Sequence, residues 1–419
     1  MIHQAVILST GDELVTGRVV DTNSTVIADE LGSAGIRVAA VLKVGDDKEK
    51  LLWALRHADA LGDAVIGTGG LGPTADDLTT EVVALFLGTN LKQDDSVARS
   101  LRERFASRGL SWTENNLKQA LFPDGATIIP NPVGTAPGFR VQLSPGKTLF
   151  WLSGVPQEMA AMLKQSVIPW LIQARKEAEG ITSCTFKLNG LTESKLDDLL
   201  RPVTLGAHAR LSFRTHYPEL SLRLSVFGGE EREEIFERLR HEIRRILGAF
   251  IYAESDKALE EIVGELLQKH QRTLSLAESC TGGYISHRIT RVAGSSAYFM
   301  GSAVTYSNEA KVHFLGVHPE TLERYGAVSR ETALQMSTGI KQRSRTTYGL
   351  SVTGIAGPAG GTADKPVGTV WISIAGPEES AARLFHFHGE RERIILGASQ
   401  AALDWLRRAL EEQTIRDIP

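Results

Sequence analysis

Twice in this chain an apolar run ends in a glycine-crowded turn that opens directly into a helical pattern. That repetition limits the possible folds more than any other feature. The first instance is DAVI followed by GTGGLGPTADDLTTE, Gly67 to Glu81. The second is RTLSL followed by AESCTGG, Ala277 to Gly283, and then YISHRITRVA. A strand that hands over to a helix through glycines leaves backbone N–H groups at the helix start, where anions and developing negative charge are held.

Around both turns strands and helices alternate, which predicts an α/β fold with mostly parallel sheets. The first block, residues 1–175, reads as the strand QAVILST, a helix over 22–34, the strand RVAAVLKVG and a helix through Leu52 and Leu55. DAVIGTGG is the next strand, followed by a helix over 78–87, the strand TLFWLSG and the helix QEMAAMLKQSVIPWLI. A second block, 181–253, is different. ARLSFRTHY and LSLRLSVFG alternate apolar and polar residues as antiparallel strands do, TESKLDDLLRPV is a short helix with Thr192 as its N-cap, and AFIYAE is a last strand. Ile235, Phe236, Leu239, Ile243, Ile246 and Leu247 mark one face of a further helix. A small α+β module is predicted. The third block, 256–415, opens with the helix ALEEIVGELLQKH, returns to strand–turn–helix order and ends in the helix ERIILGASQAALDWLRRALEEQ. RKEAEG at 175–180 and ESDK at 254–257 are the expected borders.

Composition excludes several classes. With 46 basic against 50 acidic residues the net charge is -4, so no dominant basic surface points to nucleic acid. Two cysteines exclude a disulfide framework and suit a reducing cytoplasm. The N-terminus lacks a basic segment before its short apolar run, so no signal peptide is expected, and no apolar run is long enough to span a membrane. The arginines 238, 240, 244 and 245 are offset by the glutamates 230, 231, 233, 234 and 237, the pattern of a solvated helix face.

In the first block four turns would gather at the carboxyl edge of the sheet: STGDELVTG with Asp12 and Glu13, the Gly67–Glu81 segment with Asp76 and Asp77, NPVGTAPGF, and SGVPQEM with Glu158. Glycines let the backbone approach an anion, and the acids can hold a divalent cation that does the same. Each turn alone is also ordinary punctuation, and Asp76 or Thr79 can be no more than a helix cap.

In the third block Ser279 and Cys280 are both nucleophile-capable, and a serine needs a base. No histidine lies in the glycine loops, and His386 and His388 are explained by one half-exposed strand face. Eleven histidines and two cysteines give no zinc spacing. A lysine of lowered pKa is the alternative base, with Lys311 a better candidate than Lys365, which can be a phosphate ligand or a surface residue. Cys280 can be a thiolate at a helix start or a small buried apolar residue. A second glycine/proline loop, TGIAGPAGGTADKPVGTV, can cradle a phosphate.

TGGLGPTADDLT resembles the molybdopterin-binding fold of the MoaB/MogA proteins. With GDEL, DTN, NPVGTAPG and GVPQEM added, the whole first block resembles the N-terminal domain of the CinA (competence/damage-inducible protein A) family. That resemblance implies hydrolysis of ADP-ribose to AMP and ribose 5-phosphate with a divalent metal, Co2+ or Mg2+. Asp12, Asp76, Asp77 and Glu158 would be the metal carboxylates, Asp77 also catalytic, with Gly69, Gly70, Gly72, Asn23 and Thr74 on the ligand. The middle block resembles the family's KH-like domain, although its nearest counterpart to a GXXG clamp, NGLTES, has only Gly190; a spacer or dimerisation role is expected. AESCTGG, GSS, YSNEAK, GAVS and TGIAGPAGG–KPVGTV resemble, in order, the C-terminal CinA domain, the PncC-type NMN (nicotinamide mononucleotide) deamidase. This implies Ser279 as nucleophile and Lys311 as base, with no cofactor. It brings in Tyr306, Thr353 and Arg391 as catalytic or substrate contacts, and Cys280, Thr281, Gly282, Gly283, Gly357, Gly360 and Gly361 around the ligand. Where the family carries a second arginine this chain has Ile395, with Arg393 two residues earlier, so the substrate arginine stays open. The expectation is a cytoplasmic, homodimeric, two-site hydrolase of pyridine-nucleotide salvage, acting on NMN and ADP-ribose and on neither nucleic acid nor membranes. The alternative is a non-catalytic nucleotide- or molybdopterin-binding scaffold in competence or DNA-damage response.

Overall fold

The computed structural model describes residues 2–109, 111–174, 180–412 and 414–415. The chain forms two compact units, Met1–Ile181 and Thr182–Pro419. Of the first expected border, residues 175–179 lie outside the described residues, and the second border falls inside the second unit.

In the first unit the strands β1 (Gln4–Thr10), β2 (Arg37–Val44) and β3 (Ala64–Thr68) precede a small ribbon of β4 (Leu91–Gln93) and β5 (Leu121–Pro123). They are followed by β6 (Thr127–Ile129), β7 (Gly138–Ser144) and β8 (Lys147–Leu152). The main sheet runs β2-β1-β3-β8-β7-β6, parallel through β2, β1, β3 and β8 and antiparallel at β7 and β6. Both faces are covered. Ala5 and Ile7 enter one apolar layer, and Val6 and Leu8 the other, which is why β1 reads as an unbroken apolar run. The helices Thr22–Ser33 and Lys48–Leu61 begin where Asp21 and Asp47 accept hydrogen bonds from the N–H groups of Ser24 and Lys50. The ribbon strands β4 and β5 and the strand β6 went unread in the sequence because three-residue strands carry no period, and β7 went unread as well. The expected helix over 157–172 forms from Pro156 to Ala174, with a π-turn at Leu163–Val167.

The second unit holds two sheets. β9 (Gly180–Leu188), β10 (Ala209–His216), β11 (Glu219–Gly228) and β12 (Ile251–Ala253) form the order β10-β11-β9-β12, with helices Glu193–Leu200 and Arg232–Leu247. This is the expected α+β segment. Thr192 accepts from the Lys195 N–H, and Phe236, Leu239, Ile243 and Leu247 are buried. Arg240 and Arg244 both bond Glu254, so part of the basic helix is neutralised by the expected border segment itself. β13 (Leu274–Glu278), β14 (Phe299–Val304), β15 (Tyr348–Gly354), β16 (Thr369–Ala375) and β17 (Ser380–His386) form the order β14-β13-β15-β16-β17. β13, β14 and β15 are parallel, and β16 and β17 return antiparallel. β17 ends at His386, so His388 lies beyond the strand that was expected to carry both; each is exposed. The helix Arg391–Glu412 packs along this sheet and carries much of its core, from Ile394 to Leu410. Among the described residues no helix is long and apolar enough to cross a membrane.

Candidate functional site

The topology of the C-terminal sheet explains why residues spread over more than a hundred positions can meet. The parallel strands β13, β14 and β15 end at the same edge. Because β16 is antiparallel to β15, the loop between them lies at that edge, and so does the end of β17. Ser279 follows β13, Tyr306 follows β14, Thr353 closes β15, Gly357, Gly360 and Gly361 lie in the next loop, and Arg391 follows β17.

Lys311 sits in the first turn of the helix Asn308–Leu315, capped by Ser307, and its side chain is fully buried. Its Nζ lies 3.1 Å from Ser279 Oγ and also meets the carbonyls of Thr305 at 2.8 Å and Tyr306 at 3.3 Å. Among the described residues no carboxylate pairs with it. Burial pushes its pKa below the ordinary 10.5, since the ammonium loses hydration and the charge of Glu309 offsets that only in part. Cys280 is different: burial pushes its thiol up to about 12, so it is a poor thiolate.

A residue that the sequence reading passed over organises the turn. Glu278 is buried, and its carboxylate accepts from the N–H groups of Gly283, Ile285 and Ser286 and from the Ser286 hydroxyl, at 2.5–3.1 Å. It therefore takes the helix-start donors that were expected to face a ligand. The Gly282 N–H bonds the Ser279 carbonyl. Gly282 and Gly283 make the turn instead, at φ 61° and 95°. Among the described residues the N–H groups of Cys280 and Thr281 have no acceptor, and the buried Thr281 hydroxyl has no partner. The signal was a glutamate directly before the nucleophile, five residues ahead of the glycine whose N–H it takes.

Arg391 Nη2 donates to the Tyr306 hydroxyl at 2.8 Å and Nη1 to the Gly357 carbonyl at 2.7 Å, joining three of the edge segments. Arg393 points elsewhere, its guanidinium 3.7 Å from the centre of the Tyr217 ring. Thr353 donates to the Ala327 carbonyl at 2.8 Å, and Lys365 Nζ to that of Tyr325 at 2.8 Å. Both hold the GAVS segment, so Lys365 is a loop tie.

In the first unit the ends of β1, β2, β3 and β8 surround a cavity of about 280 Å³. Gly69 and Gly70 lie on its wall at φ 103° and 64°, and a side chain on either would collide with Thr10 or Thr79. The Gly69 carbonyl accepts from Trp151 Nε1 at 2.7 Å and Thr79 Oγ1 at 3.0 Å, which fixes the turn. Asn23 is nine-tenths buried. Its Nδ2 donates to the Gly154 carbonyl, and its Oδ1 has no partner on the cavity wall.

The expected metal carboxylates are not all brought together. Asp76 and Asp77 line the cavity, whereas Asp12 and Glu158 do not. Asp12 is turned to the backbone N–H of Asp46, and Asp46 in turn accepts from the Asp12 N–H, closing β1 against β2. Glu158 accepts from Asn131 and Ser153 at 2.7 Å, pinning the 131–136 loop. Thr74, exposed, donates to Asp77 through both N–H and hydroxyl, and Gly72 leaves room for that carboxylate. Asp46, Glu13 and Asp21 join Asp76 and Asp77 on the wall, which carries no lysine, arginine or histidine. No three acidic, histidine or cysteine side chains converge as a metal cage among the described residues. The donor set fits a hydrated cation held by one or two carboxylates and completed by ligand oxygens.

The comparisons match the two stretches of chain that carry these sites. Residues 256–410 match the CinA C-terminal domain, and residues 6–173 match the model described as a probable molybdopterin binding domain. A CinA-like protein of Geotalea daltonii is 43% identical over 97% of this chain and 99% of its own length. Another, of Citrifermentans bemidjiense, is 44% identical over 96% of this chain and 97% of its own. A solved structure of the competence/damage inducible protein CihA from Agrobacterium tumefaciens is 42% identical, covering 36% of this chain and 95% of that one, with a TM-score of 0.35. With nearly end-to-end likeness to these relatives, the chain belongs to the CinA family.

Proposed function

We propose that the C-terminal sheet carries an amidohydrolase acting on the carboxamide of NMN, giving nicotinate mononucleotide and ammonia. The observation that carries this reading is the buried Lys311 amine 3.1 Å from Ser279 Oγ, with its other hydrogen bonds to backbone carbonyls rather than to a carboxylate. Neutral Lys311 takes the serine proton as Oγ attacks the carboxamide carbon. The free N–H groups of Cys280 and Thr281 receive the oxyanion while Glu278 holds the turn. The Lys311 ammonium returns the proton to the departing nitrogen, so ammonia leaves and an acyl-Ser279 ester remains. Water, deprotonated by Lys311, then cleaves that ester. Arg391, with N–H groups to spare beyond Gly357 and Tyr306, meets the nucleotide phosphate. The test is Ser279→Ala, with ammonia release from NMN as readout; turnover equal to wild type would sink the scheme.

For the first unit we propose hydrolysis of ADP-ribose to AMP and ribose 5-phosphate. What supports it is an acidic cavity at a parallel sheet edge, which takes a pyrophosphate only with a cation between. Asp76 and Asp77 would hold that divalent ion, which neutralises the pyrophosphate and makes water a better nucleophile. Asn23 Oδ1 accepts from a ligand N–H or O–H, and the glycine turn admits the phosphates against backbone. AMP release from ADP-ribose, with and without Mg2+ or Co2+, is the test. The match to a molybdopterin-binding domain favours a second reading, binding without hydrolysis, which a pterin titration distinguishes.

A further inference from the structure

The hairpin between β10 and β11 belongs to the α+β segment, yet its tip reaches the helix that begins at the catalytic edge. Tyr217 lies in that tip, half-buried, with the Arg393 guanidinium stacked on its ring at 3.7 Å. Its hydroxyl lies over Gly397, where any side chain would strike both the Tyr217 hydroxyl and the Phe387 ring. Glycine is a poor helix former, so its place in the second turn of a long helix calls for a packing reason. Tyr217 supplies one. Gly389 gives the same kind of room to the Arg393 side chain. A second tie holds the helix past its middle: Asn189 Nδ2 donates to Asp404 at 2.9 Å, and Asp404 also accepts from Arg407 and Arg408. The α+β segment thus grips the helix Arg391–Glu412 in its first two turns and again past its middle. Arg391, two residues before the stacked arginine, is the residue that spans the Tyr306 hydroxyl and the Gly357 carbonyl.

We infer that Tyr217, through Arg393 and Gly397, is a positioning residue for Arg391, so that the α+β segment sets the affinity of the C-terminal site for its nucleotide phosphate. This rests on the deamidase reading. Tyr217 touches no reacting atom. It fixes the first turns of the helix, and with them the direction in which the free N–H groups of Arg391 point. Loss of such a contact weakens ground-state and transition-state binding equally, so it raises KM and leaves kcat.

The experiment measures ammonia release against NMN concentration for the full-length wild type, Tyr217→Ala, Tyr217→Phe and Arg393→Gln. Tyr217→Ala and Arg393→Gln are expected to raise KM about three- to fivefold, the worth of one exposed cation–π contact, with kcat unchanged. Tyr217→Phe keeps the ring and is expected to match the wild type. Arg393→Gln leaves Tyr217 in place, so it carries the test if Tyr217→Ala does not fold. An active wild type with unmoved KM in the soluble variants overturns this inference alone, as does a Tyr217→Phe variant as impaired as Tyr217→Ala. A wild type that releases no ammonia overturns the deamidase reading and this inference with it.

Discussion

At Gly69 and Gly70 the turn is fixed through its carbonyl, which takes hydrogen bonds from Trp151 and Thr79. At Cys280 to Gly283 it is fixed through its N–H groups, which Glu278 gathers from the helix start. The first arrangement leaves an open cavity walled by carboxylates, and the second leaves a serine, a desolvated lysine and two unused N–H groups. The same strand–turn–helix device therefore serves opposite electrostatics. The first cavity is lined by carboxylates and no cationic side chain, while the second places a buried amine beside a serine. What differs is the charge each turn and its neighbouring loops contribute: Asp76 and Asp77 with Glu13, Asp21 and Asp46 at the first, Lys311 at the second.

The largest expected effect breaks the second site alone. Lys311→Met keeps the volume and removes the amine, and should lower kcat for NMN at least about 10²- to 10⁴-fold, the range of a general base. AMP release from ADP-ribose should be untouched. The pH profile sharpens the assignment. Because burial lowers the Lys311 pKa from 10.5, its neutral form is populated at lower pH than in an exposed lysine. The rate on NMN should therefore rise with pH and level off below 10.5. Stability follows the same sign: between the lowered value and 10.5 the unfolded chain binds the extra proton, so that stretch of pH favours folding as pH rises. A rate that still climbs past 10.5 would refute Lys311 as base.

The next effect belongs to the first site alone. Chelation by EDTA should abolish AMP release and leave ammonia release unchanged, and Asp77→Ala should cost at least about tenfold in AMP release, as expected for a lost charge contact. If EDTA silenced both activities, the contrast between the sites would fail. Glu278→Gln is expected to act more gently. Its amide nitrogen cannot accept from the helix start, so about 1.5–3 kcal/mol of hydrogen bonding to a charged group is at stake. Thermal unfolding should shift down, and kcat should fall more than KM moves. Cys280→Ala is the smallest, with NMN turnover within about twofold of wild type, because a thiol raised to about 12 is no nucleophile at neutral pH. A large loss there would return the cysteine to the mechanism.

Much of the second site is legible in its sequence because its parts are local. Ser279 stands in a turn whose glycines need left-handed φ, and Lys311 stands one turn into a helix that Ser307 visibly caps. The first site is less legible. Asp12 and Glu158 are as acidic as Asp76 and Asp77, and nothing in the chain order says which carboxylates face the cavity and which tie loops together. Asp46 lines it only because β2 pairs beside β1. That Arg391 lies at the sheet edge while Arg393, two residues on, turns away goes with a tyrosine about 175 positions earlier, whose ring takes Arg393.

The sequence by itself determined the α/β order, the positions of both glycine turns and the residues able to attack, because period, capping and left-handed glycine are properties of a few neighbouring residues. Only the tertiary structure decided which N–H groups stay free, which acids share a wall and which lysine loses its hydration. Each of those depends on strands far apart in the chain ending at one edge, where burial and hydrogen bonding are assigned by neighbours that no local pattern names.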